Sequence, residues 1–135
     1  MYYVGVDVGG TSVKLGLFDE VDNIISRVNF KTKTIEYLVD DLVKNIHKLF
    51  KNNNLDIKEL KGIGIGFPGH VDGETGTVVY SNNLVAHNFP VVKKIQEQIN
   101  VPIRISNDAN VAALGEYTYG KGKDVNNIVF VTLGT

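Results

Sequence analysis

Hydrophobic residues occupy alternate positions in the first part of the chain, the pattern of strands that bury one face. The alternation runs through Tyr2–Val8 and resumes over Ser12–Asp19, and a third apolar run covers Asn23–Phe30. Successive side chains of a strand point to opposite faces, so this pattern predicts three strands with one buried side each. Because short polar turns separate the three runs, we expect an antiparallel meander.

The apolar period then changes to that of an amphipathic helix over Ile35–Asn52, with Thr34 as a suitable N-cap. A buried strand is predicted over Lys61–Gly69, and a glycine-rich loop or hairpin follows it. The remaining predicted elements are a helix over Phe89–Asn100 with Pro90 in its first turn, a strand over Val101–Ser106, a helix over Asn107–Gly120 and a final strand over Asn127–Gly134. Strands that alternate with helices after a meander predict a mixed α/β sheet with helices on both faces.

Composition narrows the possible functions. The net charge of −1 over 135 residues lacks the basic excess that nucleic-acid and membrane-surface partners usually require. There is no cysteine, and His47, His70 and His87 are far apart, so a metal site would depend on carboxylates. No apolar run approaches about 18 residues, and the N-terminus lacks the pattern of a signal peptide. We therefore expect a soluble, cytoplasmic chain.

The stretch DVGGTSVK, which begins at residue 7, separates the first two predicted strands. Gly9 and Gly10 leave backbone amides uncovered, so a phosphate can approach closely, and Thr11 adds a hydroxyl donor. Asp7 is placed to hold Mg²⁺ or its waters, because magnesium prefers carboxylate, water and phosphate oxygens. Lys14 either neutralises phosphate charge or is a solvated strand residue. The alternative is a glycine hairpin with a capping acid and no ligand.

The stretch NDAN, residues 107–110, lies where a predicted strand passes into a predicted helix. One interpretation is helix capping, since a helix N-terminus favours a carboxylate. In the other, Asp108 accepts a proton from a hydroxyl nucleophile that Asn107 orients. Phosphoryl transfer depends mainly on positioning and charge stabilisation, so one aspartate with a metal ion is a sufficient set of groups.

Two further polar segments are candidates for ligand contact. GFPGHVD, residues 66–72, is a strand end with a Pro-Gly turn, and SNN, residues 81–83, either hydrogen-bonds a polyol or simply makes a turn. Gly64, Gly66 and Gly69 match the dinucleotide spacing G-x-G-x-x-G, but no helix follows them and no acid lies at the expected distance. The dinucleotide interpretation is therefore rejected.

Taken together, DVGGTSVK, GFPGHVD, NDAN, GEYTYGKG and the terminal VTLGT resemble the ROK family of repressors and sugar kinases over nearly the whole chain. The resemblance implies the actin-like ATPase fold, which is ribonuclease H-like and shared with hexokinase, and an ATP-dependent hexose kinase, glucokinase-like. It implies ATP, Mg²⁺ and a small-molecule sugar as ligands. The intact protein would be a homodimer.

The resemblance also implies roles for individual residues. Asp108 matches the catalytic base and Asn107 a sugar ligand beside it. The positions that match the phosphate-binding motifs are Asp7, Gly9, Gly10, Thr11, Gly134 and Thr135. Lys14 is a further candidate for nucleotide binding, and Asp7 would hold Mg²⁺ through water. The positions that match the sugar-facing segments are Gly66, Pro68, Gly69, Asn83, Asn107 and Asp108.

The same resemblance divides the chain into an N-terminal lobe, residues 1–119, and a hinge with the first strand of a truncated second lobe, residues 120–135. The family's zinc motif falls in the C-terminal half, so the absence of cysteine here does not bear on zinc. Since the active site is a cleft between two lobes, we expect residues 1–135 alone to fold and to be nearly inactive.

Three alternatives remain open. The first is a kinase of the same family acting on N-acetylmannosamine, another amino sugar or fructose. The second is a sugar-responsive repressor, which is disfavoured because the first strand begins at Tyr2 and leaves no room for a preceding helix-turn-helix. The third is a sugar-binding protein that has lost catalysis, against which Asp108 argues.

Overall fold

The computed structural model describes residues 1–133 as eight strands and three helices. The strands, in chain order, are β1 (Tyr2–Val8), β2 (Ser12–Asp19), β3 (Ile24–Lys31), β4 (Leu60–Phe67), β5 (His70–Asp72), β6 (Thr77–Ser81), β7 (Ala86–Phe89) and β8 (Ile103–Asn107). The helices are α1 (Ile35–Asn52), α2 (Val91–Gln96) and α3 (Asp108–Tyr119). A single 3₁₀ turn, Ile57–Glu59, leads into β4.

Five strands form the main sheet in the order β3-β2-β1-β4-β8. The meander β1-β2-β3 is antiparallel, whereas β4 and β8 run parallel to β1. The predicted meander and mixed sheet are therefore confirmed. Because β1, β4 and β8 are parallel, their carboxyl ends lie at the same edge of the sheet, and the residues that follow these strands are brought together there.

One face of the sheet packs against α1. Alternate residues of the strands point to this side, among them Val4, Leu15 and Ile65, and each is at most 2% exposed. The stripe on α1 that covers them consists of Ile35, Leu38, Val39, Leu42, Val43, Ile46, Leu49 and Phe50. The helix has the predicted bounds, although the extended Thr34 at its N-cap makes no side-chain capping bond. Burial of these side chains supplies the main hydrophobic stabilisation of the domain.

The opposite face of the sheet is covered in part by α3, so helices lie on both faces as predicted. Gly16, Gly5 and Gly64 are register partners across β2, β1 and β4, and the Phe18 ring lies over Gly16 and Gly5 on this side. Between these glycines and α3 lies a mainly apolar cavity of about 520 Å³. The first turn of α3 closes over Gly66, one step further along β4.

A second, three-stranded sheet of order β5-β6-β7 lies between β4 and α2. The sequence predicted only a loop or hairpin here. The turn between β5 and β6 is held by Asp72, whose Oδ1 accepts hydrogen bonds from the backbone N–H groups of Glu74 at 2.9 Å and Thr75 at 3.2 Å. The whole segment thus has a fixed shape, and it positions the residues that follow β6.

The second predicted helix is shorter in the structure than Phe89–Asn100. Phe89 belongs to β7, where it pairs with Val78, and the helix itself ends at Gln96. Pro90 precedes the helix at its N-cap position, where a missing N–H costs nothing. The predicted helix over Asn107–Gly120 is confirmed within one residue at each end.

The final strand predicted over Asn127–Gly134 is wrong for the residues that the structure describes, which end at Leu133. From Asn127 to Leu133 the backbone has no strand, and Val129 and Leu133 are 92% and 94% exposed. A strand is stable only beside a hydrogen-bonding neighbour, and no described strand lies next to this segment. Gly134 and Thr135 lie outside the described residues, and the division at residue 120 stays a prediction.

Candidate functional site

The carboxyl ends of β1, β4 and β8 bring two acidic residues next to the same glycine. Asp7, near the end of β1, is the register partner of Gly66 on β4. Asp108, the first residue of α3, has its Cα 3.5 Å from the position that a Cβ on Gly66 would occupy. Two carboxylates separated by 101 positions in the sequence therefore share one edge of the sheet.

The turn between β1 and β2 is tight and open to solvent. The Gly9 N–H donates to the Ser12 carbonyl at 3.0 Å, and a Cβ on Gly9 would lie only 2.8 Å from that oxygen. This close approach requires glycine at position 9. Gly10 and Thr11 are exposed at the tip, so their backbone and the Thr11 hydroxyl are available to an anion.

Thr32, just after β3, holds this turn from behind. Its hydroxyl donates to the Gly9 carbonyl at 2.7 Å, and its backbone N–H donates to the Thr11 carbonyl at 2.9 Å. Thr32 is not among the residues predicted from the sequence. The signal was present, because the register of a β2–β3 hairpin places the residue after Lys31 beside the residue before Ser12.

Asp7 and Lys14 face each other across β1 and β2, with Nζ 3.5 Å from Oδ2. Both side chains are more than half exposed, and an exposed ion pair contributes little to stability, so the pair separates easily. Within residues 1–133 no three metal-ligating side chains cluster. A lone exposed carboxylate nevertheless fits Mg²⁺, which takes most of its ligands from water and phosphate.

Asn107 connects α3 to the Pro-Gly turn. Its Oδ1 accepts from the Ala109 N–H at 3.0 Å and the Asn110 N–H at 3.4 Å, which makes it the N-cap of α3. Its Nδ2 donates to the Gly69 carbonyl at 2.9 Å. The capping interpretation is thus correct for Asn107, and one of its amide hydrogens is left for a ligand.

Asp108 is half-buried at the start of α3, and its Oδ1 accepts from the Ala109 N–H at 2.9 Å. That is the carboxylate's one hydrogen bond within the described part of the chain, so Oδ2 is available to another donor. A hydroxyl is such a donor, and a carboxylate that receives its hydrogen bond is placed to take its proton.

The sugar-facing segments predicted from the sequence converge on the same edge. Gly69 has a φ of +111°, and a Cβ there would collide with the Tyr80 carbonyl, so the turn requires glycine. Pro68 beside it is buried. The exposed Asn83 reaches back to the first turn, where its Nδ2 lies 3.0 Å from the Cβ position of Gly10. The loop after β6 therefore touches the turn after β1.

The arrangement brings most of the predicted residues into one neighbourhood: Asp7, Gly9, Gly10, Thr11, Lys14, Gly66, Pro68, Gly69, Asn83, Asn107 and Asp108. Uncovered amides and a hydroxyl lie on one side, amide donors on another, and a partly free carboxylate between them. Such a set can hold an anion beside a polyol. Gly134 and Thr135 cannot be placed.

No helix of the described residues is long and apolar enough to cross a membrane.

Comparison with known proteins identifies one matching family and several relatives of this chain. A family model described as "ROK family" matches residues 3–135. The glucokinase of Halalkalibacterium halodurans is 32% identical over 137 residues, which cover 99% of this chain and 42% of the relative. The xylose repressor of Caldicellulosiruptor bescii is 33% identical over 134 residues, which cover 97% of this chain and 34% of the repressor. The chain thus spans less than half the length of the curated relatives it matches.

Among solved structures, the chain resembles a ROK family glucokinase from Streptomyces griseus in complex with glucose and AMPPNP. The TM-score is 0.80 at 32% sequence identity, and the match covers 92% of this chain and 38% of that one. The backbone described above is therefore close to that of a protein crystallised with a sugar and a nucleotide analogue.

Proposed function

Because the chain belongs to the ROK family and has its actin-like ATPase fold, we propose that the protein is an ATP-dependent hexose kinase, with glucose as the first substrate to test. Relatives named as glucokinases, at 32% and 35% identity, support this class of activity. In this proposal the enzyme is a homodimer, as the family resemblance implies, and it is cytoplasmic, as its composition predicts.

The proposed reaction moves the γ-phosphoryl group of ATP to the 6-hydroxyl of the sugar. The hydroxyl oxygen forms the new bond to phosphorus, the bond between the γ-phosphorus and the bridging oxygen breaks, and ADP leaves. Asp108 takes the proton of the attacking hydroxyl through its free Oδ2, while Asn107 and Asn83 orient the sugar. The half-buried position of Asp108 and its availability to a donor support this role.

The turn after β1 would hold phosphate oxygens through its backbone and Thr11. Asp7 would hold Mg²⁺ through water, and the ion when bound neutralises charge on the phosphates. Lys14 would leave Asp7 and turn toward the nucleotide. This exchange is easy because the pair is solvent-exposed and 3.5 Å apart.

The observation that carries the proposal is that Asp7 lies beside Gly66 on the neighbouring strand while Asp108 lies over Gly66. The test is a coupled assay of ADP production by the full-length protein with glucose, fructose, mannose, N-acetylglucosamine and N-acetylmannosamine. We expect transfer to at least one of these sugars. An amino sugar as the best substrate would place the protein in the alternative kinase class, and no transfer to any sugar would contradict the proposal.

A sugar-responsive repressor is the second candidate, favoured by the 33% identity to a xylose repressor. A repressor binds its sugar without consuming ATP, so isothermal titration with sugar, run beside the kinase assay, separates the two functions. Binding without transfer would favour the repressor or a kinase that has lost catalysis.

We also propose that residues 1–119 form one lobe of a two-lobed enzyme and that residues 120–135 lead into the other. On this view, residues 1–135 alone lack the closing half of the site. The purified 135-residue chain should fold by circular dichroism and phosphorylate sugar at a negligible rate, and substantial activity would contradict the two-lobe proposal.

A further inference from the structure

Ser81, the last residue of β6, is 1% exposed, and its hydroxyl has no hydrogen-bond partner. Within residues 1–133 it is the one buried side-chain polar atom in this condition. Buried polar groups are nearly always paired, because an unpaired one loses its bonds to water and gains nothing in return. An orphaned hydroxyl therefore needs an explanation.

Ser81 lies where the two sugar-facing segments meet. Its Cβ is 3.2 Å from the position that a Cβ on Gly69 would occupy, and the Gly69 carbonyl is the acceptor of the Asn107 amide. Two residues further on, Asn83 reaches the turn at Gly10. Ser81 is thus in contact with one sugar-facing segment and covalently connected to the other.

The loop that follows, residues 82–85, is held in an unfavourable conformation. Val85 has a φ of 51°, in the left-handed region where a β-branched residue is a clear outlier. It is 79% exposed, so packing does not impose this conformation. The loop's own hydrogen bond, from the Val85 N–H to the Asn82 carbonyl, is long at 3.3 Å. By contrast, Leu84 is 4% exposed and anchors the loop in the core.

We propose that Ser81 is a positioning residue for the sugar: when the loop 82–85 closes on the substrate, the Ser81 hydroxyl gains a main-chain partner in that loop and holds Asn83 against the sugar. Both unfavourable features of the free chain, the unpaired hydroxyl and the left-handed Val85, are relieved in the closed loop. The inference rests on the proposed sugar kinase function.

Two effects of removing the hydroxyl, on the stability of the free protein and on sugar binding, distinguish this role from a purely structural one. If the hydroxyl lacks a partner until sugar binds, its removal stabilises the free protein and weakens sugar binding. If it is satisfied by a buried water, its removal destabilises the free protein or leaves it unchanged, and sugar binding does not depend on it. The two readouts move in opposite directions only under the proposal.

The first experiment compares Ser81→Ala with wild type in the full-length protein. We expect a higher Tm without ligand, a KM for glucose (or for the best sugar of the panel) raised about 5- to 10-fold, and unchanged kcat and KM for ATP. Ser81→Cys, which keeps a weak donor of similar size, should recover part of the sugar affinity. Ser26→Ala, on the outermost strand β3 and away from the carboxyl ends of β1, β4 and β8, is the control and should change none of these constants.

A second variant pair tests the strain in the loop. Val85→Gly removes the penalty of the left-handed backbone from the free state, so closure releases less energy and the KM for sugar should rise about threefold or more. Asn88→Gly is the control, since Asn88 also has a positive φ of 47° but asparagine tolerates this region well. Its KM for sugar should stay at the wild-type value.

The outcomes separate the two levels of the proposal. If the wild-type protein phosphorylates no sugar, the proposed function is wrong and the role of Ser81 falls with it. If wild type is active and Ser81→Ala keeps the wild-type KM for sugar, or lowers Tm, the role of Ser81 alone is wrong.

Discussion

Asp108 lies directly over Gly66, with its Cα 3.5 Å from where a Cβ on Gly66 would be, and Gly66 is in turn the register partner of Asp7. The first turn of α3 therefore packs so closely on β4 that position 66 has room for at most a methyl group. Val111, one turn further along α3, approaches the same point to 3.6 Å.

Substitutions of increasing size at Gly66 should have increasing effects on activity because of this contact. In Gly66→Ala the new methyl group meets Asp108 and Val111 at ordinary van der Waals distances, so we expect a folded protein with kcat within a few-fold of wild type. In Gly66→Val the additional methyl groups must displace the start of α3, and because catalytic geometry tolerates little displacement, kcat should fall about 100-fold. Steady-state kinetics of both variants check this, and equal activities would contradict it.

Replacing Asp108 with asparagine should remove catalysis and preserve the fold. Asparagine keeps an acceptor for the Ala109 N–H, but it cannot take a proton from a sugar hydroxyl. We expect kcat to fall by on the order of 10²–10⁴, with ATP affinity unchanged. The control is Asp56→Asn, since Asp56 also caps a helical turn but lies before β4, at the other edge of the sheet. A near-normal kcat in Asp108→Asn would remove Asp108 from its proposed role.

Asn107 has two separable tasks, the cap of α3 and the hydrogen bond to Gly69. Asn107→Ser keeps a capping oxygen but cannot reach the Gly69 carbonyl as a long amide does, whereas Asn107→Ala loses both interactions. The alanine variant should be less stable than the serine variant by about 1 kcal/mol, the usual worth of an N-cap. Urea unfolding measures this difference.

Both Asn107 variants should raise the KM for sugar, because each one frees the Gly69 turn. If the serine variant instead binds sugar as tightly as wild type, the bond to Gly69 is not needed for binding.

Asp72 should make the protein more sensitive to acid. The backbone N–H of Thr75, with that of Glu74, holds the pKa of the Asp72 carboxyl below its ordinary value of 3.8. A carboxyl with a depressed pKa in the folded state contributes stability above its unfolded pKa, and this contribution disappears as the pH falls through the folded pKa. The Tm, measured as the pH is lowered from about 5 to about 2, should therefore fall more steeply for wild type than for Asp72→Asn. Parallel curves of Tm against pH would contradict this.

The sequence was a good guide where an element's own pattern decides its structure. The bounds of α1 were predicted correctly because eight buried positions repeat with the helical period, and β1 and β2 because their alternation is uninterrupted. The small sheet was missed because its strands have three, five and four residues, and His70, Tyr80 and His87 on them are exposed. Short, half-polar strands have too little alternation to be distinguished from loops.

Contacts between distant segments were harder to predict. The turn after β1 was recognised as a candidate anion site, yet its support by Thr32 depends on the register of β2 with β3. The contact of Asn83 with Gly10 likewise depends on how the small sheet packs beside the large one. The predicted final strand is wrong over residues 127–133 for the related reason that pairing depends on a neighbour, which an apolar run does not specify.

The two hydrogen bonds of Thr32 fix the turn after β1 to the large sheet, whereas Asn83 stands on a separate loop that follows the small sheet. Under the proposed function, phosphate binding and sugar binding would thereby be carried by segments that belong to different sheets and touch each other through Asn83 and Gly10. A combinatorial library limited to Asn82 and Val85 is thus a suitable starting point for directed evolution toward new acceptors, since it keeps the buried Leu84 and the contact of Asn83 with Gly10.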